Sequence, residues 1–196
     1  MNLIDSEGIE QSLRLLGELV AEHPPQHYVV CGGSSLIALG LIRRITTKDV
    51  DVLARVEDGE LVCAKPLPPW MSKAIERIGD DLGLKARWFN TGPSDDSFFR
   101  HGLPEGLAGR LTTREYGPSL RISFISRVDQ IHLKLYAAAD QDVGRHFRDL
   151  KDLNPTRDEL INAARWTRTQ DPSEGFCLVL GNILKALGHA DLIGQV

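Results

Sequence analysis

The sequence predicts an α/β (α+β) protein, with a short mixed β-sheet core over residues 1–126 and a helical C-terminal part over 127–196. Three observations carry that expectation. The stretch VVCGGSSLIALGLIRRITTKDVDVL, residues 29–53, reads as strand, glycine turn, helix and second strand within one unit. Two short segments, Leu111 to Tyr116 and Leu120 to Ile125, flank Gly117-Pro118 as strands flank a turn. From Val128 onward the apolar residues recur at helical spacing instead, as in Ile131, Leu135 and Ala138.

Taken in order, Asp5 or Ser6 caps a first helix running to about Ala21, with Ile9, Leu13, Leu16 and Val20 on one stripe, and Pro24-Pro25 ends it. His27 to Cys31 is apolar and β-branched enough for a short buried strand. After Gly32-Gly33, Ser34 opens a helix over Ser35 to Ile42 that packs Leu36, Ile37, Leu39 and Leu41 on the sheet. Residues 55–69, with Asp58-Gly59 and three prolines, read as an irregular connector or a loop over a site. A helix follows from Trp70 to about Leu82 with Gly83 as its stop, then a short strand Arg87-Trp88-Phe89 and a turn at Thr91 to Ser94. Residues 95–109 carry no clear period. Beyond Val128 to Asp140, helices are expected over RHFRDLKDLNPT, Arg157 to Arg168 and Gly175 to Leu187.

The chemistry concentrates in the 29–53 unit. Gly32 and Gly33 leave no side chain between the backbone and a bulky anion, and the helix that follows aims N–H groups at the same place. In Asp49-Val50-Asp51-Val52, residues two apart share a strand face, so the carboxylates project together while the valines enter the core. Two carboxylates on one face repel, an arrangement that a shared cation relieves. A phosphate cradle facing a divalent-metal site is what a nucleoside triphosphate with Mg²⁺ requires. A tight turn and a solvated strand face are the plainer accounts of the same residues.

GGSS followed by R-x-x-T-x-x-D-V-D resembles the signature of the DNA polymerase beta superfamily of nucleotidyltransferases. More narrowly it is similar to small bacterial and archaeal members related to toxin and abortive-infection nucleotidyltransferases. The resemblance implies that Asp49 and Asp51 ligate Mg²⁺, with Mn²⁺ as a substitute, and that Gly32, Gly33 and Ser34, with Arg43 and Thr46 in the connecting segment, bind the nucleotide. The K-L-x-A-A and D-L-x-x-L helices of those relatives match at Lys134 and Asp149, with Asp152 as an alternative to Asp149. Lys134 would then place a point charge on the triphosphate, and Asp149 would orient it or act as general base. Lys134 also suits a lysine snorkelling from the edge of a buried stripe, and Asp149 a cap or pair within the helices. Relatives take a third carboxylate from a later strand, and Leu120 to Ile125 has none. The implied reaction moves a nucleoside monophosphate from an NTP to a hydroxyl of a tRNA end, a protein or a small molecule. An antitoxin partner is a corollary. Two other classes stay open: a degenerate module that binds nucleotide or a partner without turnover, and a Ca²⁺-binding domain.

Composition bounds these readings. Of the 196 residues 42% are apolar and 26% charged, as in ordinary globular proteins. The net charge of −4 argues against a broadly basic nucleic-acid binder, although Arg87, Arg100, Arg110, Arg114, Arg121 and Arg127 cluster in the middle third. Cys31, Cys63 and Cys177 are widely spaced and read as reduced thiols, with no zinc-site spacing among them. The N-terminal stretch lacks the apolar core of a signal peptide and no run reaches the length of a membrane helix, so a cytoplasmic protein without a membrane partner is expected.

Overall fold

The computed structural model describes residues 3–141 and 143–196, and it is a mixed α/β structure of the α+β kind. The chain divides into two compact units. The first reaches to Phe99 and takes up Gly106–Ser126; the second holds Arg100–Glu105 and Arg127–Val196.

In the first unit, β1 (Ile4–Asp5) leads into α1 (Ser6–Leu19), whose first turn is capped by the Asp5 side chain accepting from the Gly8 N–H at 2.8 Å. Then come β2 (Gln26–Cys31) and α2 (Gly32–Ala38). The helix expected over Ser35 to Ile42 thus starts three residues early and stops short, with Leu39 as its C-cap. Gly32 takes a positive φ of 68° at the strand-to-helix turn, a conformation that lets the helix begin at the glycines themselves. β3 (Thr46–Thr47) pairs antiparallel with β1 as a small ribbon, and β4 (Val50–Glu57) follows.

β4 runs further than the irregular stretch expected after Arg55, and it turns directly into β5 (Glu60–Val62). Asp58 and Gly59 both have positive φ, 50° and 87°, the requirement of a tight two-residue hairpin turn, for which Asp-Gly is a preferred pair. α3 (Pro69–Leu82) begins with proline in its first turn and ends at Gly83 in the left-handed conformation. It is followed by β6 (Phe89–Asn90), the short helix α4 (Asp96–His101), a 3₁₀ turn at Leu107–Arg110, β7 (Thr112–Glu115) and β8 (Leu120–Phe124).

The six-stranded sheet has the order β5-β4-β2-β8-β7, with β6 also alongside β4. β2 runs parallel to β8 and antiparallel to β4, and β6 runs parallel to β4. Tyr28, Val30, Val50, Val52, Ile122 and Phe124 from the sheet meet Ile9, Leu13 and Leu16 of α1 and Met71, Ile75 and Ile78 of α3 in one buried cluster. Each fully buried side chain of this size contributes about 1.5–3 kcal/mol, which is what fixes α1 and α3 on that face. Trp88 is buried just before β6; its Nε1 donates to the Ile75 carbonyl at 2.9 Å, and its own carbonyl accepts from Val50 N–H.

The second unit comprises α5 (Arg127–Asp140), α6 (Val143–Leu153), α7 (Arg157–Gln170) and α8 (Glu174–Ala186), with α5 packed against the other three. Ile131, Leu135, Leu150, Leu160, Ala164 and Leu180 are buried here. Arg127 binds the end of α6, donating to the Leu153 carbonyl from Nε at 3.1 Å and from Nη2 at 2.6 Å. Its Nη1 bonds Glu159, which completes a capping box with Thr156 at the start of α7. Among the described residues no helix is long and apolar enough to cross a membrane.

Candidate functional site: a paired-aspartate strand beside a glycine turn

β4 delivers the two aspartates as its alternation requires. Val50 and Val52 are fully buried in the core, whereas Asp49, immediately before the strand, and Asp51, its second residue, lie outside it. Asp51 sits between two neighbours. On the β2 side it is the register partner of Cys31, and Gly32 approaches so closely that a Cβ there would lie 2.6 Å from Asp51 Oδ2. On the β6 side it is the register partner of Asn90, whose Nδ2 donates to Asp51 Oδ1 at 3.0 Å. The Asn90 amide is itself oriented, because its Oδ1 accepts from Gly92 N–H at 2.9 Å. Asp49, whose side chain is 14% exposed, pairs through Oδ2 with Lys85 Nζ at 3.0 Å. An ammonium therefore stands at Asp49, and the glycine backbone at the start of α2 passes close to Asp51.

Lys85 and Asn90 carry no pattern that marks them in the sequence, and Gly92 is legible there only as part of the Thr91 to Ser94 turn. The segment Arg87-Trp88-Phe89 is legible as a strand, but its pairing beside Asp51 is not. Leu120 to Ile125, where the resemblance expects a third carboxylate, holds no Asp or Glu. β8 is separated from β4 by β2, and the side chain next to Asp51 on the flanking strand is that of Asn90. Among the described residues no three His, Cys, Asp or Glu side chains gather to hold a metal ion. The protein thus offers two carboxylate arms. That suits Mg²⁺, which is commonly held by one or two carboxylates with the remaining positions filled by phosphate and water.

No family model matches the sequence, and no match was found among curated proteins or solved structures.

The remaining expected residues are placed as follows. Gly33 and Ser34 lie in the first turn of α2 and are buried, and Ser34 Oγ donates to the Cys31 carbonyl at 3.3 Å. Cys31, the N-cap, gives α2 no side-chain cap. Arg43 is exposed in the loop after α2, and Thr46 is half-buried in β3, opposite Asp5. Arg44, not Arg43, reaches back to the Thr46 carbonyl, at 2.9 Å. In the second unit Lys134 Nζ donates to Asp149 Oδ2 at 2.7 Å, with both side chains 5% exposed. Lys134 is therefore a buried ion-pair member and does not snorkel, and Asp149 is its partner. Asp152 is exposed. Of the middle-third arginines, Arg114 pairs with Glu10, Arg121 with Glu115 and Arg127 with Glu159, which commits those three within the fold.

Proposed function

We propose that the chain is a Mg²⁺-dependent nucleotidyltransferase that moves a nucleoside monophosphate from an NTP to a hydroxyl acceptor on a tRNA end, a protein or a small molecule. The observation that carries this reading is the Asp49–Asp51 pair set outside the core where β4 begins, with Asp51 close to Gly32 at the start of α2. Asp49 and Asp51 would hold the metal, and Mn²⁺ would serve in its place. When bound, the ion supplies charge neutralisation at the triphosphate.

The chain's own residues account for the rest. Asn90 holds Asp51 at a fixed angle, so that carboxylate is ordered before any ligand arrives. In this reading a phosphate would be received at the first turn of α2, which begins at Gly32 and Gly33. The Ser34 hydroxyl, turned to the Cys31 carbonyl, acts in this scheme by fixing the turn. In the transfer the acceptor oxygen bonds the α-phosphorus, the bond from that phosphorus to the bridging oxygen of the β-phosphate breaks with its electron pair leaving on pyrophosphate, and the acceptor proton passes to solvent. Asp149, ion-paired to Lys134, is read as the residue that orients that lysine. By the same resemblance the protein is a toxin neutralised by a partner antitoxin, acting in the cytoplasm.

A second reading, a degenerate module that binds nucleotide without turnover, draws on Asn90 standing beside Asp51 in place of a carboxylate. One experiment separates the two. The purified protein is incubated with each NTP radiolabelled at the α-phosphate, Mg²⁺, and total cellular RNA and protein, beside an Asp49→Ala, Asp51→Ala control. Label transferred by the wild type and lost in the control is the expected result. Mg-NTP binding without transfer, for all four nucleotides, would favour the binding module.

A further inference from the structure

We propose that Lys85 is a built-in, exchangeable cation. It neutralises Asp49 when no divalent ion is bound and is displaced from Oδ2 when one enters, while Asn90 keeps Asp51 in position throughout. This rests on the reading that Asp49 and Asp51 receive a divalent cation.

Asp49 stands immediately before β4 and Asp51 is its second residue; neighbouring carboxylates repel, and a local positive charge relieves that repulsion. Lys85 provides it at 3.0 Å from Asp49 Oδ2. The two partners differ in how freely they can part. The Lys85 side chain is 43% exposed, so its ammonium can return to water at small cost; the Asp49 side chain is 14% exposed and has less water to fall back on. The backbone root of Lys85 is firm. Its carbonyl accepts from Trp88 N–H at 2.9 Å, and Trp88 is buried and bonded to Ile75. Exchange therefore asks only for rotation of a flexible side chain, with no movement of β6.

The residue type fits the task. An ammonium is a single mobile point charge, without the planar fork by which a guanidinium grips both oxygens of a carboxylate. Asp51 is held differently: its Oδ1 accepts from the neutral amide of Asn90 at 3.0 Å, on the strand beside it. A divalent ion, with twice the charge and reach to both carboxylates, outcompetes the ammonium, whereas a monovalent ion of the solvent does not.

The test uses the full chain and Mn²⁺ alone, with unbound aqueous Mn²⁺ followed by electron paramagnetic resonance. Lys85→Met and Lys85→Gln are expected to bind Mn²⁺ tighter than wild type by roughly fivefold, the factor that an ion pair of this exposure holds back. Lys85→Arg, which keeps the charge and adds the bidentate fork, is expected to bind Mn²⁺ no tighter than wild type. Lys48→Met removes an equal charge one residue from Asp49 and measures the long-range share alone; its gain should be clearly smaller. If Lys85→Met and Lys85→Gln, folded by circular dichroism, bind no tighter than Lys48→Met, exchange at Asp49 is overturned and the metal reading stands. If Asp49→Asn and Asp51→Asn bind Mn²⁺ as wild type does, the metal reading fails and the exchange falls with it.

Discussion

Single side chains set the electrostatics of this molecule, and two of them give direct tests. Gly32 combines a positive φ of 68° with a Cβ position 2.6 Å from Asp51 Oδ2, so Gly32→Ala meets both backbone strain and a clash with a carboxylate. The expected cost is about 1–3 kcal/mol in urea unfolding, with circular dichroism as the probe. His27 acts through protonation. Burial, and secondarily the positive charge of Arg121, hold its imidazole below the usual value of 6.5, and its Nε2 shares a 2.7 Å hydrogen bond with Ser123 Oγ. A histidine with a depressed folded pKa binds its proton more readily in the unfolded chain. Stability from this group is therefore complete above about 6.5 and is lost as pH falls from there through the folded pKa. Unfolding midpoints measured at about pH 7.5 and about pH 5.5 should drop for wild type by more than for His27→Gln, which keeps a polar partner for Ser123 but cannot titrate. Equal drops would show that other groups set the acid limb.

At the scale of elements, the cap of α7 is the clearest unit to perturb. Thr156 accepts from the Glu159 N–H, and Glu159 reaches back to the Thr156 N–H at 2.7 Å while also pairing with Arg127 from the start of α5. Thr156→Ala is expected to cost about 1 kcal/mol, read as a shift in the urea midpoint with unchanged slope. What the sequence made legible follows the same logic of length. The Asp49 and Asp51 alternation belongs to an eight-residue strand with a period to read, and α1, α3, α5 and α7 are fourteen-residue helices with apolar stripes or firm stops. β1, β3 and β6 are two residues each and carry no period at all. α4 buries none of its residues, so it has no stripe to betray it in 95–109. Lys85 and Asn90 stayed hidden for this reason. Their partners lie 36 and 39 residues away, and the pairing that joins them is two residues long. The Asp58-Gly59 hairpin was different, because its turn signal was present in the sequence and the neighbouring prolines outweighed it.

At the scale of the whole molecule, the helical unit contains a feature that is costly unless complete. Lys134 and Asp149 are each about 5% exposed and bonded at 2.7 Å, joining α5 to α6. Taking two charges out of water is offset in large part by their mutual contact, so removing one member leaves the other buried without it. Lys134→Ala should therefore cost about 3–5 kcal/mol, a large share of the roughly 5–15 kcal/mol that holds an ordinary domain folded. Hydrogen exchange should locate that loss in α5 and α6, since both partners belong to the helical unit. Replacing both charges at once, as Lys134→Met with Asp149→Leu, removes the uncompensated charge and should restore most of the stability. That double variant separates structure from chemistry. A pair retained only to join two helices would leave label transfer from NTP intact once stability is recovered. Under the nucleotidyltransferase reading, the family resemblance gives Lys134 and Asp149 a part in the transfer. The expected result is then a protein that unfolds near the wild-type urea midpoint and transfers no label, while transfer at the wild-type rate would assign Lys134 and Asp149 to the fold alone.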